Sequence, residues 1–228
     1  MKKTSLPFPD RDAAGRALAK ALEAYRDRDD VLVLALPRGG VPVAAEVAAA
    51  LGAELDLLIV RKLGAPDQPE LAMGAIASGG VRVLNRDVIA SRGIQEHAIE
   101  EVARREQQEL ERREHAYRGA RPRPAIEGRC VILVDDGIAT GATMRAGILA
   151  LRRQKPAKIV VAVPVAPPDT VARLRSVADD VVCLATPDVF LAIGQWYIDF
   201  PQLSDETVRQ ALAEAWKESP AVTDRHGV

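Results

Sequence analysis

Residues Val131 to Met144, reading VILVDDGIATGATM, carry the most chemically able pattern of residue types in the chain. Four branched aliphatics make a buried strand, Asp135 and Asp136 end it, and a run of Gly, Thr and Ala opens a helix whose apolar positions continue to Leu151. That order sets two carboxylates at the carboxyl end of a strand, where an open α/β sheet binds its ligands. The turn after them is small enough for backbone N–H groups to close around a phosphate at a helix N-terminus. Carboxylates holding ribose hydroxyls, beside amides holding a phosphate, would make a pocket for a ribose 5-phosphate group. The plainer alternative is a strand–turn–helix whose aspartates serve only as caps. No Lys follows the glycines, which excludes a Walker P-loop, and no Gly-x-Gly-x-x-Gly supports a dinucleotide fold.

Three further segments carry residues of the right kind. Pro37-Arg38-Gly39-Gly40 follows the first apolar strand, and its paired glycines permit close backbone approach. Arg61-Lys62 ends the second strand, where cations suit an anionic ligand. In a chain with 4% aromatics, Phe190, Trp196, Tyr197 and Phe200 fall within eleven residues, which suggests a site, an interface or a hydrophobic plug. The three histidines do not gather: His97 and His115 sit on a charged helix and His226 in the tail, so surface positions are expected.

The elements that must position these groups alternate along the chain. Asp10 or Asp12 can cap a helix over Ala13 to Tyr25. Strands are expected at Val31 to Leu36, Leu55 to Val60, Cys130 to Val134, Lys158 to Val165 and Val181 to Ala185. Helices are expected at Val41 to Leu51, stopped by Gly52, and at Ala142 to Arg153, Pro168 to Ala178 and Asp205 to Glu218. Leu63 to Gly80, with two prolines and four glycines, reads as a mobile loop with a weak hairpin, of which Val81 to Leu84 is one strand. Ile94 to Tyr117 reads as a solvated helix laced with i,i+4 ion pairs, because its acids match its bases. Strands alternating with helices imply a parallel sheet covered on both faces.

Composition narrows the class. At 228 residues the chain suffices for one α/β domain spanning 1–228. A net charge of −1 argues against a dedicated nucleic-acid surface. No apolar stretch reaches the length of a membrane span, and MKKTSLPFPDRD lacks the apolar core of a signal peptide. Cys130 and Cys183, each in or beside a β-type run, read as buried thiols, so a cytoplasmic protein is expected.

The form Asp-Asp-x-x-Ala-Thr-Gly-x-Thr-Met resembles the phosphoribosyl diphosphate (PRPP) signature of type I phosphoribosyltransferases, and is similar to that of adenine phosphoribosyltransferase. Leu-Pro-Arg-Gly-Gly-Val, Arg-Lys-x-Gly-Ala-Pro and Gly-Gln-Trp-Tyr-x-Asp-Phe extend the resemblance over about Val31 to Phe200, toward a bacterial group of phosphoribosyltransferases of unassigned substrate. The resemblance implies a Rossmann-like α/β fold: a parallel sheet flanked by helices, a flexible loop at about 62–80 and a small C-terminal hood at about 186–203. It implies that Asp135 and Asp136 hold the ribose hydroxyls, and that Ala139, Thr140, Gly141, Ala142 and Thr143 bind the 5-phosphate. Arg38 and Gly39, in a loop that often carries a non-proline cis peptide, would take the diphosphate with Arg61 and Lys62. Phe190 would stack on the base, with Trp196 and Tyr197 as alternatives, and Asp199 would approach the metal. Mg²⁺, otherwise held through PRPP, a small nitrogenous base and a homodimer are further implied; nucleic acid and membrane are not.

Two departures from the family pattern stand out. Hypoxanthine-guanine enzymes carry an aspartate where this chain has Ala139, and adenine enzymes carry a loop glutamate where this chain has Ser78 or a neighbouring glycine. Glu70 lies in the loop at another position. No general acid or base can be named, which keeps open a second reading: a PRPP-binding regulator with little turnover.

Overall fold

The computed structural model describes residues 6–218; His226 lies outside them. Eight strands and seven helices follow in the order α1 (Arg11–Ala21), β1 (Val31–Ala35), α2 (Gly40–Leu51), β2 (Glu54–Leu57), β3 (Val60–Ala65), β4 (Gln68–Ala77), β5 (Val81–Leu84), α3 (Arg86–Arg92), α4 (Glu96–Arg118), β6 (Cys130–Val134), α5 (Ala142–Arg153), β7 (Lys158–Val165), α6 (Pro168–Arg175), β8 (Asp180–Ala185) and α7 (Asp205–Glu218). β6, α5, β7 and α7 have the bounds expected from sequence. Asp10 caps α1, its carboxylate accepting the Ala13 N–H at 2.7 Å.

Five strands form a parallel sheet in the order β2-β1-β6-β7-β8. β1 and β6 are buried at every residue, as strands covered on both faces must be. On one face Val31, Val33 and Ala35 pack with apolar residues of α1, α2, α4 and α7; on the other, Leu32 and Leu34 pack with those of α5 and α6. From β1 the chain moves outward through α2 to β2, whereas from β6 it moves the opposite way through α5 to β7. The winding therefore reverses between β1 and β6, and the crevice at their carboxyl ends is the ligand-binding position of such a sheet.

Residues 63–80, expected as a mobile loop with a weak hairpin, are mostly strand: β3 and β4 pair antiparallel, and β5, at the expected Val81–Leu84, pairs with β4. Apolar burial fixes them, since Leu63 and Met73 are fully buried in the cluster that includes Ile99, Ala103 and Leu110 of α4. The glycines serve close approach here. A Cβ on Gly64 would stand 2.4 Å from the Pro69 carbonyl, and one on Gly74 would stand 2.5 Å from that of Val83. None of the helices among the described residues is long and apolar enough to cross a membrane.

The charged helix α4 also differs from expectation at its C-terminal end. Arg118 Nη2 and Nε bond Asp56 Oδ1 at 2.9 and 3.1 Å, and its Nη1 bonds Glu114 Oε1 at 3.2 Å. All three side chains are buried, and Arg123 reaches Glu114 from outside. Burial holds the Asp56 carboxyl above its ordinary pKa despite Arg118. Removing one partner of such a group strands the others. Arg118→Met should therefore cost about 3–5 kcal/mol, or roughly 6–20 °C in melting temperature for a domain of this size. A thermal melt within a degree of wild type would show that the network contributes nothing.

Candidate functional site

Asp135 and Asp136 follow β6 directly, at the reversal point of the sheet. Asp136 is 6% exposed; its N–H donates to Asp135 Oδ1 at 2.8 Å, and Arg11 Nε donates to its Oδ2 at 2.8 Å. The neighbouring strand β1 ends in the 37–40 loop, whose Pro37–Arg38 peptide is cis. The Leu36 N–H donates to the Val134 carbonyl at 2.9 Å, so the two loops leave the sheet side by side. A Cβ on Gly39 would stand 2.1 Å from Asp136 Oδ2, which is how closely the backbone approaches the acid.

Beyond the acids, Ala139, Thr140, Ala142 and Thr143 are exposed. The Ala139 carbonyl is anchored from outside by Thr170 Oγ1, at 2.9 Å. Gly141 takes φ +77°, a left-handed conformation suited to glycine, and it precedes α5 with no side-chain cap. The N-cap position thus offers no oxygen to the first N–H groups of α5, and the Ala142 N–H makes only a long bond of 3.5 Å to Thr140 Oγ1, at the end where a helix attracts anions.

The expected cations are separated. Arg38 Nη1 lies 3.7 Å from Asp205 Oδ1 at the start of α7. Arg61 and Lys62 are adjacent on β3, so they face opposite sides of the hairpin. Arg61 shares the α4 side with Leu63 and bonds Glu106 Oε2 at 2.6 and 2.9 Å. Lys62 shares the other side with Val60 and bonds Glu70 at 3.1 Å. Their recorded partners are these two glutamates and not the acids of the β6 turn.

The aromatic segment does reach the site, through Tyr197. Its hydroxyl donates to the Asp136 backbone carbonyl, and its ring packs between Phe8 and Phe200 at centroid distances of 5.6 and 4.8 Å. Tyr197 is 5% exposed, so it is a support, in keeping with the hydrophobic plug also expected of this segment, and not an open alternative to Phe190 for stacking. Phe190 and Trp196 stack on each other at 6.1 Å and are partly exposed. Ile193 covers the turn after the acids, since a Cβ on Gly137 would stand 2.7 Å from its Cγ2. Asp199 is exposed, and its N–H donates to the Pro9 carbonyl at 2.9 Å. Arg11 was not foreseen as a site residue. Its partner Asp136 lies 125 residues away, and no local pattern signals such a contact.

Ser78 is buried, and its Oγ accepts the Ile59 N–H at 2.9 Å, a structural duty. His97 and His115 are exposed on α4. Among the described residues no three His, Cys, Asp or Glu side chains gather as a metal cage. The two adjacent carboxylates nevertheless fit Mg²⁺, a hard cation that takes oxygen ligands and keeps several waters.

Burial first, and then the neighbouring Asp136 charge, hold the Asp135 carboxyl well above its ordinary pKa. Burial raises Asp136 as well, with Arg11 pulling it back. A folded-state pKa above the unfolded one means that Asp135 contributes stability below the ordinary value of about 3.9 and loses it as pH rises through the raised value. Asp135→Asn keeps the acceptor for the Asp136 N–H and removes the charge. The variant should melt above wild type at pH 7.5, and the gap should close toward pH 4.5. Equal melting temperatures at both pH values would contradict a raised Asp135 pKa.

A family model described as a phosphoribosyl transferase domain matches residues 11–201. A Mycobacterium tuberculosis protein named "Putative phosphoribosyl transferase" is 51% identical over 211 residues, covering 92% of this chain and 47% of its own length. The chain thus spans about half the length of the curated relatives it matches. A Thermus thermophilus protein of known crystal structure is similar at a TM-score of 0.81 and 46% identity, over 91% of this chain and 98% of that one.

Proposed function

This chain belongs to the phosphoribosyltransferase family, and on that premise we propose that it binds PRPP with Mg²⁺ and transfers the 5-phosphoribosyl group to a nitrogenous base, releasing diphosphate. The observation that carries this reading is the convergence at one crevice. Asp136 meets the 37–40 loop at Gly39 and Asp135 meets it at Gly40, and the same turn runs on to the N-terminus of α5, to which Gly141 offers no side-chain cap. The acids would hold the ribose hydroxyls, the amides of residues 139–143 the 5-phosphate, and Arg38 with the loop amides the diphosphate.

In the reaction the bond from the anomeric carbon to diphosphate breaks, diphosphate leaves with the electron pair, and a carbon–nitrogen bond forms as the base loses its proton. Positive charge builds on the ribose and negative charge on the leaving group. The chain's part is positioning and electrostatics, with Asp135 and Asp136 beside the ribose and Arg38 beside the leaving oxygens. Asp135 and Asp136 are the residues that would hold Mg²⁺, which would supply neutralisation of the charge on the leaving group. Arg61 and Lys62 would join only by exchanging Glu106 and Glu70 for the ligand.

Arg38→Ala should weaken PRPP far more than ribose 5-phosphate, about tenfold or more, because only PRPP carries the diphosphate that a charged hydrogen bond would hold. Parallel calorimetric titrations check this, and equal losses would remove Arg38 from the diphosphate. Turnover is tested by diphosphate release from PRPP across a panel of purine and pyrimidine bases. A second reading, PRPP sensing with little turnover, is favoured by Ala139 and by the structural duties of Ser78 and Tyr197, which leave base recognition thin. PRPP binding without release for any base would select it.

A further inference from the structure

We infer that Arg11 is a positioning residue that fixes Asp136 for the ribose hydroxyls and binds the aromatic hood to the same carboxylate. The inference rests on the ribose reading of Asp136 given above.

Local rules argue against a cation at this position. Arg11 is the first residue of α1, where the positive end of the helix dipole disfavours cations, and its side chain is only 8% exposed. A buried charge in an unfavourable field persists where a partner compensates it, and a broken local rule is expected at functional positions. The partner is Asp136, itself 9% exposed, at 2.8 Å.

The same guanidinium has two other engagements. Its Nη1 donates to the Pro201 carbonyl at 2.9 Å, and its carbon lies 3.8 Å from the centroid of the Phe200 ring. The chain just before Arg11 is stitched to the hood as well. Phe8 N–H donates to the Trp196 carbonyl at 2.8 Å, Ile198 N–H to that of Phe8 at 2.8 Å, and Asp199 N–H to that of Pro9 at 2.9 Å. Tyr197 closes the circuit by donating to the Asp136 backbone carbonyl. Asp136 is therefore gripped at its carboxylate by Arg11 and at its carbonyl by the hood, and Arg11 itself grips the hood. The consequence is chemical as well as mechanical. Arg11 balances one charge of the acid pair before an anionic ligand arrives, and it holds Asp136 in one orientation.

The test uses the full chain with Arg11→Met, which keeps length and apolar contact with Phe200, and Arg11→Lys, which keeps the charge. Each is titrated with PRPP and with inorganic diphosphate, both in Mg²⁺, and hydrogen exchange is followed at the Ile198 and Asp199 amides. Arg11→Met should lower PRPP affinity at least tenfold, leave diphosphate within twofold, and speed exchange at the two amides at least tenfold without ligand. Arg11→Lys should recover most of the PRPP affinity. Equal losses for both ligands, or unchanged PRPP affinity in Arg11→Met, would overturn the inference and leave Arg11 a packing residue. Wild type failing to bind PRPP would instead overturn the ribose reading, and Arg11's positioning role toward the ribose with it. The exchange arm alone would then decide whether Arg11 binds hood to acid.

Discussion

Asp135→Asn combined with Asp136→Asn should abolish measurable PRPP binding while leaving the fold intact. Each carboxylate would accept from a ribose hydroxyl, and charged hydrogen bonds of this kind contribute about 1.5–3 kcal/mol. Losing two amounts to roughly 3–6 kcal/mol, or about a 10²–10⁴-fold rise in Kd. The fold has reason to survive. The first substitution removes a partly buried charge that its neighbour already disfavours, while the second leaves Arg11 a neutral acceptor in place of an anion. These effects oppose each other, so circular dichroism should be unchanged. Unaltered calorimetric affinity in the double variant would sink the ribose assignment.

Gly39→Ala should be nearly as damaging, for a steric reason. The backbone of Gly39 has φ −60°, which any residue adopts, so the added methyl brings no conformational strain of its own. It brings a collision: the new carbon would stand 2.1 Å from Asp136 Oδ2 and 2.5 Å from Asp136 Cγ. Either the 37–40 loop or the acid must move by about an ångström, and displacements of that size cost on the order of 100-fold where geometry carries catalysis. Overpacking itself should cost about 1–3 kcal/mol of stability. PRPP affinity within twofold of wild type, measured beside a melt confirming that the variant folds, would separate this loop from the ligand site.

Much of this site could be read from the chain because its parts are local. The apolar run at β6, the acids after it and the small residues opening α5 are contiguous, so strand, turn and helix follow from neighbouring side chains. The parallel sheet followed from strands alternating with helices. What escaped depends on contacts distant in sequence or on packing. The β3–β4 hairpin reads as weak and loop-like because its glycines are taken as flexibility, whereas Gly64 and Gly74 are needed where another strand's backbone comes close. Arg61 and Lys62 read as a pair, yet strand alternation turns them to opposite faces, toward α4 and α5. Tyr197 read as an alternative for stacking or as part of a hydrophobic plug, and what decides for burial is Phe8 at the other end of the chain. Arg11 and the Asp56–Arg118 pair are charges buried by partners that no periodicity announces.

The most direct measurement is calorimetric titration of the wild-type chain with PRPP, with and without Mg²⁺, against ribose 5-phosphate as control. The account predicts magnesium-dependent PRPP binding at least about tenfold tighter than the control, since one well-placed charged contact to the diphosphate suffices for that difference. No PRPP binding, or binding no tighter than ribose 5-phosphate and indifferent to Mg²⁺, would contradict it.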